Sequence, residues 1–418
     1  MVKSIPVHRS PAVYATIAVL LLNVFVRPSP SSAYDFSKSA DLRQNALVMS
    51  WPGRDRSTSL PRGSFGISET KVRLRGRIAS DMITFNTAVE TSASFASSAD
   101  NLFTSGGLFG KGSPLEHWDA TGYQIDEATT TLRTRLERFD IRLAIGRYDI
   151  DLGRQPVSLG TSHFVGVLDV LAPFAPGDLD ATYKPGIDAL RIRRGIGIAG
   201  EAEIIAAGAA EWSDGAILGR FRHGYGGFDF EWVGGRFRHR GFGGIGWEGE
   251  AWDNGFWGEI ALFERHSDEQ IFGGNSDVAF SGVAGVDVSL PQKFKLGVSG
   301  MYQDFGVRDP DDLVKAYSSA PLREGWLFLA SAGYGVVTLH RELHPLVQGD
   351  LAGIVNLVDR STIWQPRITV STGNDTDVAF YGWVGTGAGP VSSGETIRMK
   401  SEFGGTPNGG GFYARWFF

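Results

Sequence analysis

From residue 68 to the last residue, apolar and polar side chains alternate with a period of two, in segments broken by turn residues. In 71–80, Val72, Leu74, Gly76 and Ile78 fall on one side, and Lys71, Arg73, Arg75 and Arg77 on the other. In 131–136, Leu132, Thr134 and Leu136 alternate with Arg133 and Arg135. The alternation slips at Glu137-Arg138, which reads as a two-residue turn, and resumes with Phe139, Ile141, Leu143 and Ile145 opposite Asp140 and Arg142. Further on, Phe228, Phe230 and Trp232 alternate with Asp229 and Glu231, and Ile245, Trp247 and Ala251 with Glu248 and Glu250. Val286 and Val288 lead through Leu290-Pro291-Gln292 to Phe294, Leu296 and Val298, which oppose Lys293 and Lys295. Ile368, Val370, Val378 and Phe380 continue the pattern around Gly373-Asn374-Asp375. A period of two predicts strands with two unlike faces.

Alternation also fits a soluble sandwich, so three further features decide the fold class. The segments suit membrane strands of about 9–11 residues better than soluble strands of about 5–6. Tight connections at 137–138, 290–292 and 373–375 contrast with long polar ones at 95–123, 151–186, 306–323 and 386–407, as in barrels with short turns on one side and long external loops on the other. Aromatic residues gather near expected strand ends: Trp232, Trp247, Trp252, Phe256, Trp257, Tyr381, Trp383, Tyr413 and Trp416. The predicted fold is all-β, a transmembrane antiparallel β-barrel of about 16–18 strands, since a closed ring is the way strands satisfy their backbone in lipid.

Composition narrows the function classes. No cysteine is present, which removes thiol nucleophiles and cysteine metal sites, and the net charge of −6 argues against a nucleic-acid partner. Lys3, His8 and Arg9 precede the apolar stretch 12–26, and Ser31-Ser32-Ala33 offers a small-residue cleavage site. That layout predicts an export signal over 1–33. The segment 34–66, with Pro52 and Pro61, reads as a periplasmic arm or plug with a weak strand near 45–51, and 67–418 as the barrel. At the C-terminus Phe412, Ala414, Trp416 and Phe418 share one face. This resembles the terminal strand by which bacterial outer-membrane proteins are recognised by their insertion machinery.

If the apolar sets face lipid, the charged sets face a lumen. The expected pore lining is Lys71, Arg73, Arg75, Arg77, Arg133, Arg135, Arg142, Arg191 and Arg193 on the early wall, then Asp229, Glu231, Glu248, Glu250 and Asp287, with Lys293 and Lys295. Opposed walls of opposite sign would set a transverse field that biases ion selectivity. A ring of this size leaves an aqueous channel, although paired charges filling a plugged barrel remain the alternative.

The stretch Gly153-Arg154-Gln155-Pro156-Val157-Ser158-Leu159-Gly160, then Asp169-Val170-Leu171-Ala172-Pro173-Phe174, then Tyr183-Lys184-Pro185-Gly186-Ile187-Asp188-Ala189-Leu190-Arg191 resembles the porin-like outer-membrane barrels that include phosphate-selective and alginate-export-like porins. The resemblance implies a loop that folds into the barrel and narrows it, with Arg154, Asp169 and Asp188 nearby. It carries no substrate identity.

Enzymatic readings have less behind them. His266-Ser267-Asp268 holds triad residue types, but a relay needs residues that converge in space. His340 and His344 are four apart, but Glu342 and Pro345 suggest a turn there rather than a metal site, and neither Asp309-Pro310-Asp311-Asp312 nor Asn374-Asp375-Thr376-Asp377 is a full calcium loop. The expectation is a porin-like channel for passive diffusion of small polar or anionic solutes, not an enzyme, without a cofactor or metal. Its partners would be membrane lipid, lipopolysaccharide and the insertion machinery, with homo-oligomerisation left open. A barrel-embedded enzyme and a plugged structural or binding barrel are the alternatives.

Overall fold

The computed structural model describes residues 34–50, 64–97, 115–177, 183–265, 276–373, 375–393 and 396–418. The expected export signal, Asn374 and the His266-Ser267-Asp268 run lie outside the described residues. In chain order the strands are β1 (Asp35–Ser50), β2 (Ser64–Ala79), β3 (Ile83–Ala96), β4 (Thr121–Asp126), β5 (Thr130–Ile145), β6 (Tyr148–Gln155), β7 (Ile187–Ile196), β8 (Gly200–Ala207), β9 (Ala216–Tyr225) and β10 (Phe228–Phe237). They continue as β11 (Arg240–Ala251), β12 (Asn254–Glu264), β13 (Val278–Leu290), β14 (Phe294–Gln303), β15 (Gly333–His344), β16 (Val347–Asn356), β17 (Thr362–Ser371), β18 (Thr376–Thr386), β19 (Val391–Ser393), β20 (Thr396–Arg398) and β21 (Asn408–Phe417).

Eighteen of these form one closed antiparallel ring. β1 pairs with β2 on one edge and β21 on the other, with Asp41 opposite Arg73 and Phe417. Phe418 and Ala40 exchange a further pair of backbone hydrogen bonds at this seam. β4 stands outside the ring order: β5 carries β3 along one edge, and β4 followed by β6 along the other. β19 and β20 form a separate small hairpin.

The connections differ at the two ends. Gly226–Gly227 (φ 63° and 85°), Trp252–Asp253 (50° and 61°) and Gln292–Lys293 (62° and 64°) make tight turns with positive φ at both central residues, the turn type that matches strand twist. At the opposite end Arg238–His239 makes one such turn (46° and 69°), but several other connections are long segments that fold back over the mouth. There Phe242 meets Phe263 at 5.1 Å and Trp326 contacts Phe237, Phe263 and Phe305 at 5.8, 5.2 and 5.3 Å, forming a buried aromatic cluster. Large apolar side chains lie exposed around the outside, among them Leu152, Ile204, Ile217, Trp232, Ile368, Phe380 and Phe412.

Three expectations change. Asp35–Ser50, expected to be an arm or plug, is the strand that closes the ring. Its inward face carries Asp41, Arg43 and Asn45 and its outward face includes Gln44, so neither face reads as apolar. Glu137-Arg138 is not a turn: β5 continues through it with an irregularity opposite Ala88 and Val89. A bulge inserts one residue without reversing the chain, and so breaks alternation just as a turn would. Among the aromatic residues expected at the rims, Trp257 donates its indole N–H to Asp287 (3.0 Å), Tyr381 its hydroxyl to Asn45 (2.6 Å) and Trp383 its indole N–H to the Pro407 carbonyl (2.7 Å), all on the inner face.

At the seam, a Cβ on Gly411 would lie 2.1 Å from the Ala46 carbonyl oxygen and 2.8 Å from Leu47 Cα. Gly411→Leu is therefore expected to force β1 and β21 apart, at a cost of more than about 2 kcal/mol. The check is the temperature at which the refolded barrel loses its compact gel mobility, which should fall; an unchanged midpoint would refute the close approach.

Candidate pore and constriction loop

The chain between β6 and β7 turns into the barrel, and one carboxylate holds it there. Glu259, buried on the inner face of β12, accepts backbone N–H groups from Thr161 and Ser162 (both 2.6 Å), Val167 (2.7 Å) and Leu168 (3.0 Å). Amides that converge on a carboxylate make charge-assisted bonds, each stronger than a neutral one. Neighbouring strands extend the grip. Glu231 on β10 accepts from Gly160 N–H (2.7 Å), and Arg220 on β9 donates to the Ser158 carbonyl (2.9 Å). His163 at the loop tip lies 2.7 Å from Asp287 on β13 and 3.6 Å from Glu248 on β11, against the Trp257 ring. Gly160 has φ 86°, and a Cβ there would sit 2.3 Å from the Glu259 carboxylate, so the bend requires glycine.

The opposite wall is basic. Arg73 pairs with Glu90 and lies over the Tyr183 ring at 3.3 Å, and Arg138 donates to the Tyr183 hydroxyl (2.9 Å) and the Lys184 carbonyl (2.7 Å). The returning end of the loop is thus pinned to the arginine wall. Arg75, Arg77, Arg138, Arg142 and Arg191, with Asp140 and Tyr183, line a cavity of about 390 Å³ toward the short-turn end. Between the loop and the β1–β3 and β15–β18 walls lies a second cavity of about 820 Å³. Its lining mixes Leu47, Met49, Ile67, Phe164, Phe174 and Trp383 with His163, His340, Asp350 and Arg367.

Most residues expected to line the lumen are partnered. Lys71 pairs with Glu69 (3.3 Å), Arg75 with Asp41 (3.2 Å), Arg142 and Arg193 with Asp151 (both 2.5 Å), and Arg191 with Glu203 (2.5 Å). Arg133 donates to Thr121 (2.9 Å) and Arg135 pairs with Glu116 and Glu137, so both are tied into the segment that fills the wall beside β5. Asp229 and Glu250 are exposed, and Lys293 pairs with Glu342 beside a tight turn.

The expected grouping of Arg154, Asp169 and Asp188 near the constriction does not form. Arg154 and Asp188 meet each other, through Nε–Oδ1 and Nη2–Oδ2 bonds of 2.8 Å. They lie on adjacent strands, on the face of β6 turned away from Asp151 and Gln155. Arg154 also donates to the Leu136 and Trp118 carbonyls, and Asp188 accepts from His117 N–H. Asp169 belongs to the loop and pairs with Lys184. The Gly-Arg-Gln and Pro-Gly-x-Asp elements are therefore a clasp between wall strands at the points where the loop leaves and returns. In the acidic loop between β14 and β15, Asp311 is taken by Arg398 and Asp312 by Lys315 (2.6 Å). Phe412, Ala414 and Trp416 share the outer face of β21 beside the seam.

Sequence reasoning missed Glu259 and Arg220, and gave Arg138 and Tyr183 no part in holding the loop. Glu259 had a readable signal, as the lone acid on an inner face otherwise made of Trp257, Ala261 and Phe263. Tyr183 had none, because its arginine partners come from strands far away in sequence.

No family model matches the chain, and no curated protein matches it. Solved structures do. Acinetobacter baumannii OccAB4 shares 10% identity with a TM-score of 0.54, over 94% of this chain and 100% of that one. Pseudomonas aeruginosa OccK11 (OpdR) shares 8% with a TM-score of 0.54, over 91% and 96%, and OccD3 (OpdP) of the same organism 7% with 0.52, over 92% and 91%. The likeness is one of fold. It extends over more than 90% of this chain, and the fold expected from the porin-like resemblance is the fold found.

Two outcomes follow. Glu259→Ala leaves four loop amides without their acceptor and should release the loop; amide exchange at Thr161, Ser162, Val167 and Leu168 should accelerate at least tenfold, equivalent to about 1.4 kcal/mol, while exchange in β15–β17 stays unchanged. Arg154→Ala removes the buried guanidinium from the half-buried Asp188 and should lower barrel stability by about 3 kcal/mol, read from the denaturant midpoint. A loss below 1 kcal/mol would show the clasp to be incidental.

Proposed function

We propose that this chain is a bacterial outer-membrane channel for passive diffusion of small polar solutes, with a preference for anions. One observation carries the reading: the buried acids that face the loop are engaged in holding it, whereas the arginine wall opens onto a cavity. Glu259 and Glu231 spend their charge on loop amides, and Asp287 and Glu248 face His163. Across the lumen, Arg77 and Arg138 form no carboxylate pair among the described residues, and Arg75 and Arg142 remain partly exposed. An anion entering that cavity meets guanidinium groups that can chelate it, and in a confined low-dielectric lumen the local sign of charge biases which ion passes.

The exposed apolar girdle supports a lipid surround, since patches of that extent on a water-facing surface would drive association. In this reading residues 1–33 direct export and are removed, the β21 aromatic face is read by the insertion machinery, and the long-loop end faces outward into lipopolysaccharide. The buried aromatic cluster around Trp326 favours a second reading, a barrel closed at that mouth, and conductance separates the two.

Purified refolded protein in a planar bilayer should give discrete openings, with a reversal potential displaced toward the anion in a salt gradient. The double variant Arg75→Gln/Arg77→Gln should reduce the anion-to-cation permeability ratio several-fold while openings persist. An unchanged ratio would remove the anion assignment, and a barrel that never conducts would remove the channel.

A further inference from the structure

The inner face of the wall carries charge along β5, β7 and β9, and it turns apolar where β1, β2 and β18 pass the constriction loop. Ala46-Leu47-Val48-Met49 is apolar on both faces of β1, and Leu47 stands opposite Ile67 on β2. With Phe164 and Phe174 of the loop, these side chains line the chamber of about 820 Å³. Tyr381 and Trp383 on β18 close another side, their rings stacked at 6.2 Å with 14° between planes. The Tyr381 hydroxyl already donates to Asn45 and the Trp383 indole N–H to the Pro407 carbonyl, so both offer the chamber ring surface. Leu47, Ile67, Phe164 and Phe174 are half-buried, and the apolar surface they leave uncovered gains by contact with an apolar guest. A concave site of this kind, mostly apolar with a few placed polar groups, is the usual form of a small-molecule site.

The placed polar groups stand on β15, β16 and β17. Asp350 lies 2.8 Å from His340 Nδ1 and accepts from Arg367 Nε (3.2 Å). That bond uses one nitrogen of the guanidinium. Neither Nη of Arg367 has a partner among the described residues, and the side chain is 45% exposed. The acids elsewhere in the lining do not compete for it: Glu69 pairs with Lys71 (3.3 Å), and Glu127 stands in the β4–β5 turn at the long-loop end. Arg367 is therefore a permanent cation in the chamber with donors to spare, and a guanidinium edge chelates an oxyanion.

We propose that this chamber binds small aromatic oxyanions, with the ring held between the β1–β2 side chains and Phe164 and Phe174, and the oxyanion on Arg367.

The chamber stands in series with the arginine cavity. On β1 it is lined by Asn45, Leu47 and Met49, whereas Ser37 and Ser39 line the arginine cavity; on β2 the contrast is Ile67 and Glu69 against Arg75 and Arg77. At about 3.3 Å per residue, Leu47 and Ser39 stand about 25 Å apart along the strand, the chamber on the long-loop side. A solute following this wall from the long-loop end meets ring surface first and guanidinium groups second. An aliphatic anion of the same charge gains little from the first, and a neutral ring gains little from the second, so passage favours a solute that carries both. Only this passage rests on the channel reading; binding in the chamber does not.

Two sulfonates test this on the full refolded chain held in amphipol. Naphthalene-2-sulfonate and methanesulfonate share a permanently ionised head and differ in the ring. In equilibrium dialysis the naphthalene compound should bind at least roughly tenfold more tightly. Phe164→Ser, a loop change that leaves every wall strand intact, and Arg367→Gln should each weaken that binding roughly fivefold. Equal binding of the two sulfonates, or naphthalene-2-sulfonate binding that survives both substitutions unchanged, would overturn the site. In a planar bilayer, naphthalene-2-sulfonate should interrupt the current at concentrations where methanesulfonate does not. A barrel that binds the ring compound yet never conducts would overturn the channel and leave the site standing. One that conducts but binds both sulfonates alike would overturn the site and leave the channel standing.

Discussion

A strand in hydrocarbon has no water to satisfy its backbone, so each N–H and C=O must find another strand. The rest of the molecule follows from that demand. Neighbours in sequence pair through tight turns, and the first and last strands of the ring have to meet. Side chains then sort themselves, because alternate positions on one strand see opposite surroundings. The outer set is free to be apolar and featureless. The inner set must settle its charges within a crowded space, and it does so by pairing arginines with carboxylates on adjacent strands and by recruiting the backbone of an inserted loop.

That loop shows how a polar interior becomes ordered. A buried carboxylate is costly unless its oxygens are engaged, and an inserted loop carries amides that no strand will satisfy. Glu259 and residues 161–168 solve each other's problem. The arginine wall has fewer partners of this kind, and the electrical asymmetry of the lumen results from that difference more than from the number of charges on each side.

The sequence made much of this plain and hid the rest for physical reasons. Strands such as β2 and β10 are legible because one face is apolar and the other carries charges. β1 was not, since Gln44 stands among its outward residues and makes hydrogen bonds with Ser68 and Thr70 on β2, so its alternation is blurred. The Glu137-Arg138 slip was seen but taken for a reversal, because one residue too many looks the same in either case. Arg154 and Asp188 are expected, with Asp169, beside the constriction; the partnership of the first two is decided by strand register, which alternation does not encode, and it serves the wall. Glu259 was passed over because a lone acid on a strand looks like surface until something folds over it.

The seam between β1 and β21 joins strands that stand more than 350 residues apart along the chain. Contacts so far apart in sequence form slowly, and until they form, the sheet is an open ribbon whose two free edges can each accept a strand from another molecule. Completion of this barrel is therefore a race between β21 and any foreign strand that reaches either edge earlier, and Gly411 lets the native strand dock flush against β1.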